Sequence, residues 1–454
     1  MSELRNIYRS LGGLDEDVCH YVLRELSEKD LWSLLQTCRW LREACIPLLF
    51  RDCTLNVYGP WKVTQPARFL PMAFRPYVQT LDLRDACPDQ RMEDELQNPP
   101  LYFTNKRKLC GTLPGAPLAN RLRELPRLRY LTHGLPWDTL RAILPVPHLR
   151  EFNIKNMYLC PELRSGERLS VESLSPITSF RYQMWHPREP FATPSETAAL
   201  STVLGVLCET LETLDLASEP APLSALSQLR WPRLRKLVYR GTPWHTLAAP
   251  LISLHPGMQD LQTFSLKLDV TPGTIPQVLW PAGYEGSFPW PELECLVVSF
   301  PDPRDEVYDH LPSSLRALSL RCWPHLHVQK QPSDIDPAHD RPDHRALLSS
   351  SAILSILRRC SSLDLDHLEI EYRADDKDDA LLRHIVQAFP HLTSLKIHRY
   401  RSAPEIQEGR DVSVVSYHSY VMVYHFSLSF SRLTLLKCSS LLLTFVVSKH
   451  TWIW

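Results

Sequence analysis

Apolar residues recur at helical spacing over the first fifty residues and at strand spacing through most of the rest. Val18, Val22 and Leu26 stand at i, i+4 and i+8, one face of a helix. Ser27-Glu28-Lys29-Asp30 predicts a stop and a fresh N-cap, its acidic side chains favoured by the helix dipole. Leu31, Leu34, Leu35 and Cys38 give the next apolar face, and Leu41, Ala44, Cys45, Leu48 and Leu49 a third. Pro47 is expected to end or distort that last helix. Three short helices bury little surface, so this unit should need a partner or a following domain.

From about residue 76 to 400 the pattern becomes short β-like segments separated by helical or irregular stretches. Leu149-x-x-Phe152-x-Ile154 is one, and others begin at Leu211, Leu261, Leu293, Leu315, Leu365 and Leu392, with weaker units at Val78, Leu128, Ile177 and Leu234. Most intervals lie near the roughly 20–29 residues of a leucine-rich repeat. Proline stands two positions before the first apolar residue at Pro126, Pro147, Pro232, Pro291 and Pro390. An internal echo, Gly134-Leu-Pro-Trp137 and Gly241-Thr-Pro-Trp244, also indicates repetition. Alternation then predicts Leu214, Leu296, Leu318 and Leu395 as inward residues and Thr213, Ser319 and Lys396 as the opposite face. Trp231 and Trp290, each before a proline, read as packing or turn residues rather than ligand cages.

Two resemblances follow. Leu14-Asp-Glu-Asp-Val18, Tyr21-Val22-Leu23, Leu26, Asp30-Leu31, Leu34, Cys38, Leu41 and Pro47-Leu-Leu-Phe-Arg51 together resemble an F-box. Asp15 and Glu28 depart from it, since many F-boxes carry proline at both places; Asp15 can instead accept backbone N–H groups as an N-cap. The later units resemble the divergent leucine-rich repeats that follow an F-box in fungal proteins, although the Asn or Cys of the standard repeat is mostly missing. The expected fold is therefore α/β: a short N-terminal three-helix F-box over 13–52, a linker over 53–75, and an irregular leucine-rich-repeat solenoid, a horseshoe of short parallel strands, over 76–400. The resemblance implies that Leu14, Asp15, Val18, Leu23, Asp30, Leu31, Leu34 and Trp40 bind a Skp-type linker protein. Leu31 in particular would sit in the apolar surface shared with that linker. The chain would then be the substrate adaptor of a Skp–cullin–F-box ubiquitin ligase, with an unidentified target protein on the repeats. The alternative is an interaction scaffold without a ubiquitination role, and co-purification with a cullin separates the two.

Composition narrows the rivals. With 50 Lys+Arg against 51 Asp+Glu, the balance gives no basic excess for nucleic acid or an anionic membrane. Only 14 glycines accompany 39 prolines, and no Walker-type loop or G-x-G-x-x-G occurs, so no nucleotide cofactor is expected. Twelve cysteines without a C-x-x-C pair suggest neither a zinc module nor a disulfide framework. With no signal-like apolar run at the start, a cytoplasmic or nuclear setting is expected. The His- and Asp-containing stretch 325–345 reads as a solvated loop, because no metal-ligand spacing occurs in it. Asp375-Asp-Lys-Asp-Asp379 reads as a helix start leading into Leu381, Leu382, Ile385, Val386 and Phe389. No catalytic motif is found, so no enzyme is expected.

Residues 412–454 stand apart, containing no Asp, Glu, Pro, Gly, Ala, Asn or Gln. The apolar run Leu433–Val447 includes Lys437 and is short of the roughly 20 residues a membrane span needs. A misread coding end, such as a translated intron, is the expected explanation, and removing the segment is then expected to cost no stability.

Overall fold

The computed structural model describes residues 15–57, 70–85, 120–133, 143–155, 175–183, 194–244, 247, 249–268, 275–322, 347–360, 362–400 and 422–427. Leu14, the Gly134 copy of the echo and the stretch 325–345 lie outside the described residues.

Among the described residues three helices come first: α1 (Glu16–Arg24), α2 (Glu28–Leu35) and α3 (Arg39–Leu49). The Asp15 carboxylate caps α1 by accepting the Asp17 N–H at 3.2 Å. Ser27 Oγ caps α2 by accepting the Asp30 N–H at 3.3 Å. Pro47 does not end α3, which runs two residues further. A proline in the last turn removes only one donor, and the Phe50 N–H still reaches the Ile46 carbonyl at 3.1 Å. The inward face of α1 is Cys19 and Leu23, not Val18 and Val22, which are exposed. Both pairs are spaced i, i+4, so periodicity alone leaves the choice open; the pair that packs with Leu31 and Cys45 is the buried one.

Helix α3 runs directly into a sheet. Residues 53–57, expected within the linker 53–75, instead belong to strand β1 (Asp52–Val57). There follow β2 (Thr80–Asp85), β3 (Tyr130–His133), β4 (Glu151–Lys155), β5 (Ser179–Gln183), β6 (Thr213–Ala217), β7 (Lys236–Gly241) and β8 (Thr263–Leu268). The rest are β9 (Cys295–Ser299), β10 (Ala317–Arg321), β11 (His367–Arg373), β12 (Ser394–Tyr400) and β13 (Met422–Ser427). Spatial order equals chain order throughout. Strands β1 to β12 pair in parallel, in one register that aligns Phe180, Leu214, Leu237, Phe264, Leu296, Leu318 and Leu368. Crossovers hold α4 (Pro194–Leu207), α5 (Leu223–Gln228), α6 (Ser350–Arg359) and α7 (Asp378–Ala388), with 3-10 turns at Leu251–Leu254 and Glu306–Asp309. This is a leucine-rich-repeat-type solenoid, in which each unit buries its apolar face only by stacking on its neighbours.

Local chemistry explains the punctuation. Trp231-Pro232-Arg233-Leu234 is a turn closed by the Leu234 N–H on the Trp231 carbonyl at 3.4 Å, and Trp290-Pro291-Glu292-Leu293 repeats it at 3.2 Å. Proline presets φ at the second position of such a turn, while the first residue points inward. Trp231 and Trp290 are each 1% exposed, as packing residues should be. The missing asparagine ladder has substitutes. Glu219 Oε1 accepts the Thr242 N–H at 3.0 Å, and Glu371 Oε2 accepts the Cys322 N–H at 2.8 Å. Gly241 sits at φ +133°, and a Cβ there would come within 2.4 Å of Ser218 Oγ. Only glycine fits.

One continuous core holds Leu214, Leu296 and Leu318, while Leu395 on β12 is only partly buried against it. Ser319, expected on the solvated face, is 8% exposed and donates to Glu369 Oε2 at 2.7 Å. On α7, Leu381 and Ile385 face the core, and Leu382 and Val386 are exposed.

Part of the atypical tail joins the sheet. Strand β13 pairs antiparallel with β12 from Ser394↔Ser427 to Arg399↔Met422. Its backbone covers donors and acceptors that would otherwise form an open edge. Against the expectation from composition, a chain ended at Asp411 should therefore melt lower and self-associate more than the full chain. Differential scanning fluorimetry and light scattering check this.

Candidate interaction surfaces

The helical unit has a small core of Cys19, Leu23, Leu31 and Cys45, with Leu26, Leu34, Leu35, Ala44, Leu48 and Leu49 packed on it. Leu23 (2% exposed) and Leu31 (7%) fill that core themselves, so neither is a surface residue. The resemblance implies that both touch a linker, whereas here both pack inside the unit. Leu34 is partly buried. Asp15 and Asp30 are exposed and occupied with helix capping, Asp30 also accepting from Ser27 Oγ at 2.6 Å.

Val18 (48%) and Trp40 (47%) do face solvent, and the structure adds Tyr21, Val22 and Trp32. Five of the nine exposed large apolar residues among the described ones thus lie on these three helices. Trp32 was legible: it falls outside the Leu31, Leu34, Leu35 stripe and one turn after Glu28. Its indole N–H donates to Glu28 Oε1 at 3.4 Å. Trp32 also meets Phe50 edge-on at 6.1 Å, and Phe50 stacks on Phe74 at 3.9 Å. The Arg51 carbonyl accepts the N–H groups of Gln79 and Thr80. These contacts couple the helices to the first strands.

The second surface is the sheet face turned away from the core. Side chains one position either side of the inward residues form rows across the strands. Asp215 on β6 accepts from Arg240 Nε on β7 at 2.9 and 3.0 Å, and from Gln183 on β5 at 3.3 Å. Arg321 on β10 donates to Glu369 on β11 at 3.1 Å. Burial works to raise the Glu369 pKa, but the His398 ring, the Arg321 guanidinium and the Ser319 hydroxyl outweigh it and hold the carboxyl well below its ordinary value. Between these pairs stands Lys267 on β8. Burial, with repulsion from Arg240, Arg321 and Lys236 only partly offset by Asp215, lowers its pKa to about 8.

Among the described residues no group of three or more His, Cys, Asp or Glu is placed to hold a metal ion. Nor is any helix among them long and apolar enough to cross a membrane.

No protein-family model matches the chain, and no curated protein matches it. Solved structures do. One of them, titled as the crystal structure of a TLR13–ssRNA13 complex, is 15% identical, with a TM-score of 0.38. That match covers 78% of this chain and 40% of the other, so this chain spans well under half of that protein's length.

Proposed function

We propose that the protein is a substrate adaptor of a Skp–cullin–F-box ubiquitin ligase. Its helical unit would bind a Skp-type linker and its repeat sheet a target protein. The observation that supports this most is the set of solvent-facing apolar side chains, Val18, Tyr21, Val22, Trp32 and Trp40, on a unit whose own core is complete without them. Exposed tryptophans on a small helical unit are typical anchors of a protein interface. The spacing of the resemblance to an F-box supports the same partner.

Such an adaptor needs no catalytic residue. It raises the effective concentration of the target near the conjugating enzyme and fixes its orientation. Orientation requires a stiff joint between the two binding surfaces. The Phe50–Phe74 stack and the uninterrupted passage from α3 into β1 support such a joint.

The test is binding of a purified Skp-type linker by calorimetry. Trp32→Asp and Trp40→Asp should each weaken it about 30-fold or more, the loss of roughly 2 kcal/mol expected of a hot-spot residue, with melting unchanged for Trp40→Asp and slightly lowered for Trp32→Asp, which also loses the Phe50 contact. Leu31→Asp is expected to abolish binding by unfolding the helical unit, since it places a charge in that unit's core. Undiminished binding by both tryptophan variants, or no binding by the wild type, overturns the reading.

A further inference from the structure

The turns that lead into β3 and β4 are built alike. Leu125-Pro126-Arg127-Leu128 closes with the Leu128 N–H on the Leu125 carbonyl at 3.2 Å, and Val146-Pro147-His148-Leu149 with the Leu149 N–H on the Val146 carbonyl at 3.4 Å. Arg127 and His148 therefore take the same place in successive units, and so do Arg129 and Arg150. The Arg129 carbonyl accepts the Arg150 N–H at 2.9 Å and the Glu151 N–H at 2.8 Å. The two arginines are thus direct neighbours on the rim formed by the N-terminal ends of the strands, their backbones about one strand spacing of 4.8 Å apart. All four residues are exposed.

The acids nearest to them are already matched. Glu124 is held by Arg75 and, at 3.2 Å, by Arg121, and Glu151 lies 3.8 Å from Arg181 on β5. Among the described residues no carboxylate stands within ion-pair distance of Arg127, Arg129 or Arg150. Arg150 donates once, from Nη1 to the Pro176 carbonyl at 3.0 Å. That bond steadies the guanidinium and leaves the rest of its planar fork for a ligand.

Such forks match the two oxygens of a carboxylate or a phosphate. The rest of the rim decides between them. Beyond Arg150 it continues with Thr178 before β5 and Glu212 before β6. Arg233 and Arg235 follow before β7, but they line a hollow of about 480 Å³ together with Glu212, Asp260 and Glu292. A continuous phosphate backbone laid along the rim would meet those three carboxylates, whereas a protein segment can confine its acidic residues to the β3–β4 end.

We propose that the rim at β3 and β4 is a docking site for an acidic peptide segment of a partner protein, its side-chain carboxylates held by Arg127, Arg129 and Arg150. This deepens the adaptor reading, on which the identification of that partner as the target rests, by giving the target a chemistry. Docking at the rim does not itself need the linker.

The experiment uses the full chain and a fluorescein-labelled hexaglutamate peptide, followed by fluorescence anisotropy at low and moderate salt. Binding is expected, with an affinity that falls as salt rises. Arg129→Gln and Arg150→Gln should each weaken it about fivefold, and the double variant about tenfold or more. Arg235→Gln, at the same place before β7 but beside Glu212 and Asp260, should change it less than about twofold and so separates a local site from diffuse attraction. If Arg150→Gln lowers the melting temperature by releasing the Pro176 carbonyl, Arg129→Gln carries the test. No binding by the wild type, undiminished binding by Arg129→Gln, a loss with Arg235→Gln equal to that with Arg129→Gln, or tighter Arg129-dependent binding of an oligouridylate of equal charge each overturns the proposal. Linker binding measured on the same samples reports on the helical unit separately, so either reading can fail alone.

Discussion

Phe264→Ala and Trp290→Ala should each destabilise the protein by about 3–5 kcal/mol, the cost of deleting a large buried aromatic side chain. Phe264 is fully buried on β8, and its ring lies 4.6 Å from that of Trp290 and 6.3 Å from that of Tyr239. These rings come from three successive repeats, so a cavity there loosens two stacking interfaces at once. In a solenoid each repeat is held only by its neighbours, and a central lesion costs more than a terminal one. Leu395→Ala on β12, where the side chain is only partly buried, should therefore cost distinctly less. Thr263→Ala, one residue before Phe264 on the opposite face, should stay within about 0.5 kcal/mol. Urea unfolding followed by tryptophan fluorescence and circular dichroism measures the series. Equal losses at Phe264 and Thr263 would remove the inward–outward assignment on which the repeat architecture rests.

How far the sequence reveals this architecture depends on the range of the interaction that makes each element. The unit starts at Val78, Leu128, Leu149, Ile177, Leu211, Leu234, Leu261, Leu293, Leu315, Leu365 and Leu392 lead into β2 to β12 in order. Their signal is local, an apolar alternation preceded by a turn that proline favours. Strand β1 has the same spacing, Phe50-x-x-Cys53-x-Leu55, but it hides behind a cysteine and at the end of the helical motif. Strand β13 carries no such signal, because its place is set by the edge of β12 rather than by its own pattern. Ser319 shows the same limit inside the sheet. Alternation puts it outward, yet Glu369, fifty residues on, covers and binds it. The candidate binding residues divided similarly. Apolar spacing located the helices, but only three-dimensional packing separates Leu23 and Leu31, which fill the core, from Val18 and Trp40, which do not. The cross-strand ion pairs of the outer sheet face, Asp215 with Arg240 and Arg321 with Glu369, were not legible at all, since each is assembled from separate strands.

Lowering the pH from 6.5 to 4.5 should change the wild type's stability little and the stability of two single variants in opposite directions. His255 is fully buried; its Nδ1–H donates to the Leu251 carbonyl at 3.0 Å, and its Nε2 accepts from the Tyr239 hydroxyl at 2.7 Å. Burial lowers its pKa to about 4, against a smaller opposing effect of the Leu251 carbonyl. The unfolded chain takes up this proton near pH 6.5 and the native protein does not, so stability is lost as pH falls, by about 2 kcal/mol over the window. Asp305 has the opposite sign. Its carboxylate accepts the N–H groups of Leu279, Trp280 and Val307 at 2.7, 2.9 and 3.0 Å. Burial nevertheless raises its pKa to about 6, with those three N–H groups opposing and Asp302 adding to the rise. The native protein therefore binds this proton first, and stability that is lost as pH rises through about 6 returns on acidification, about 2 kcal/mol by pH 4.5. The two effects nearly cancel and leave the wild type within about 0.5 kcal/mol of its stability at pH 6.5. His255→Gln should instead gain about 2 kcal/mol on the same acidification, and Asp305→Asn should lose about 2 kcal/mol, each relative to its own stability at pH 6.5. Glu369 and Asp375, both held below their ordinary values, begin to destabilise the fold only as pH falls below about 4.5, outside this window. Urea midpoints at the two pH values for the three proteins measure the slopes. Parallel slopes in all three would show that neither buried group titrates differently in the folded and unfolded chain.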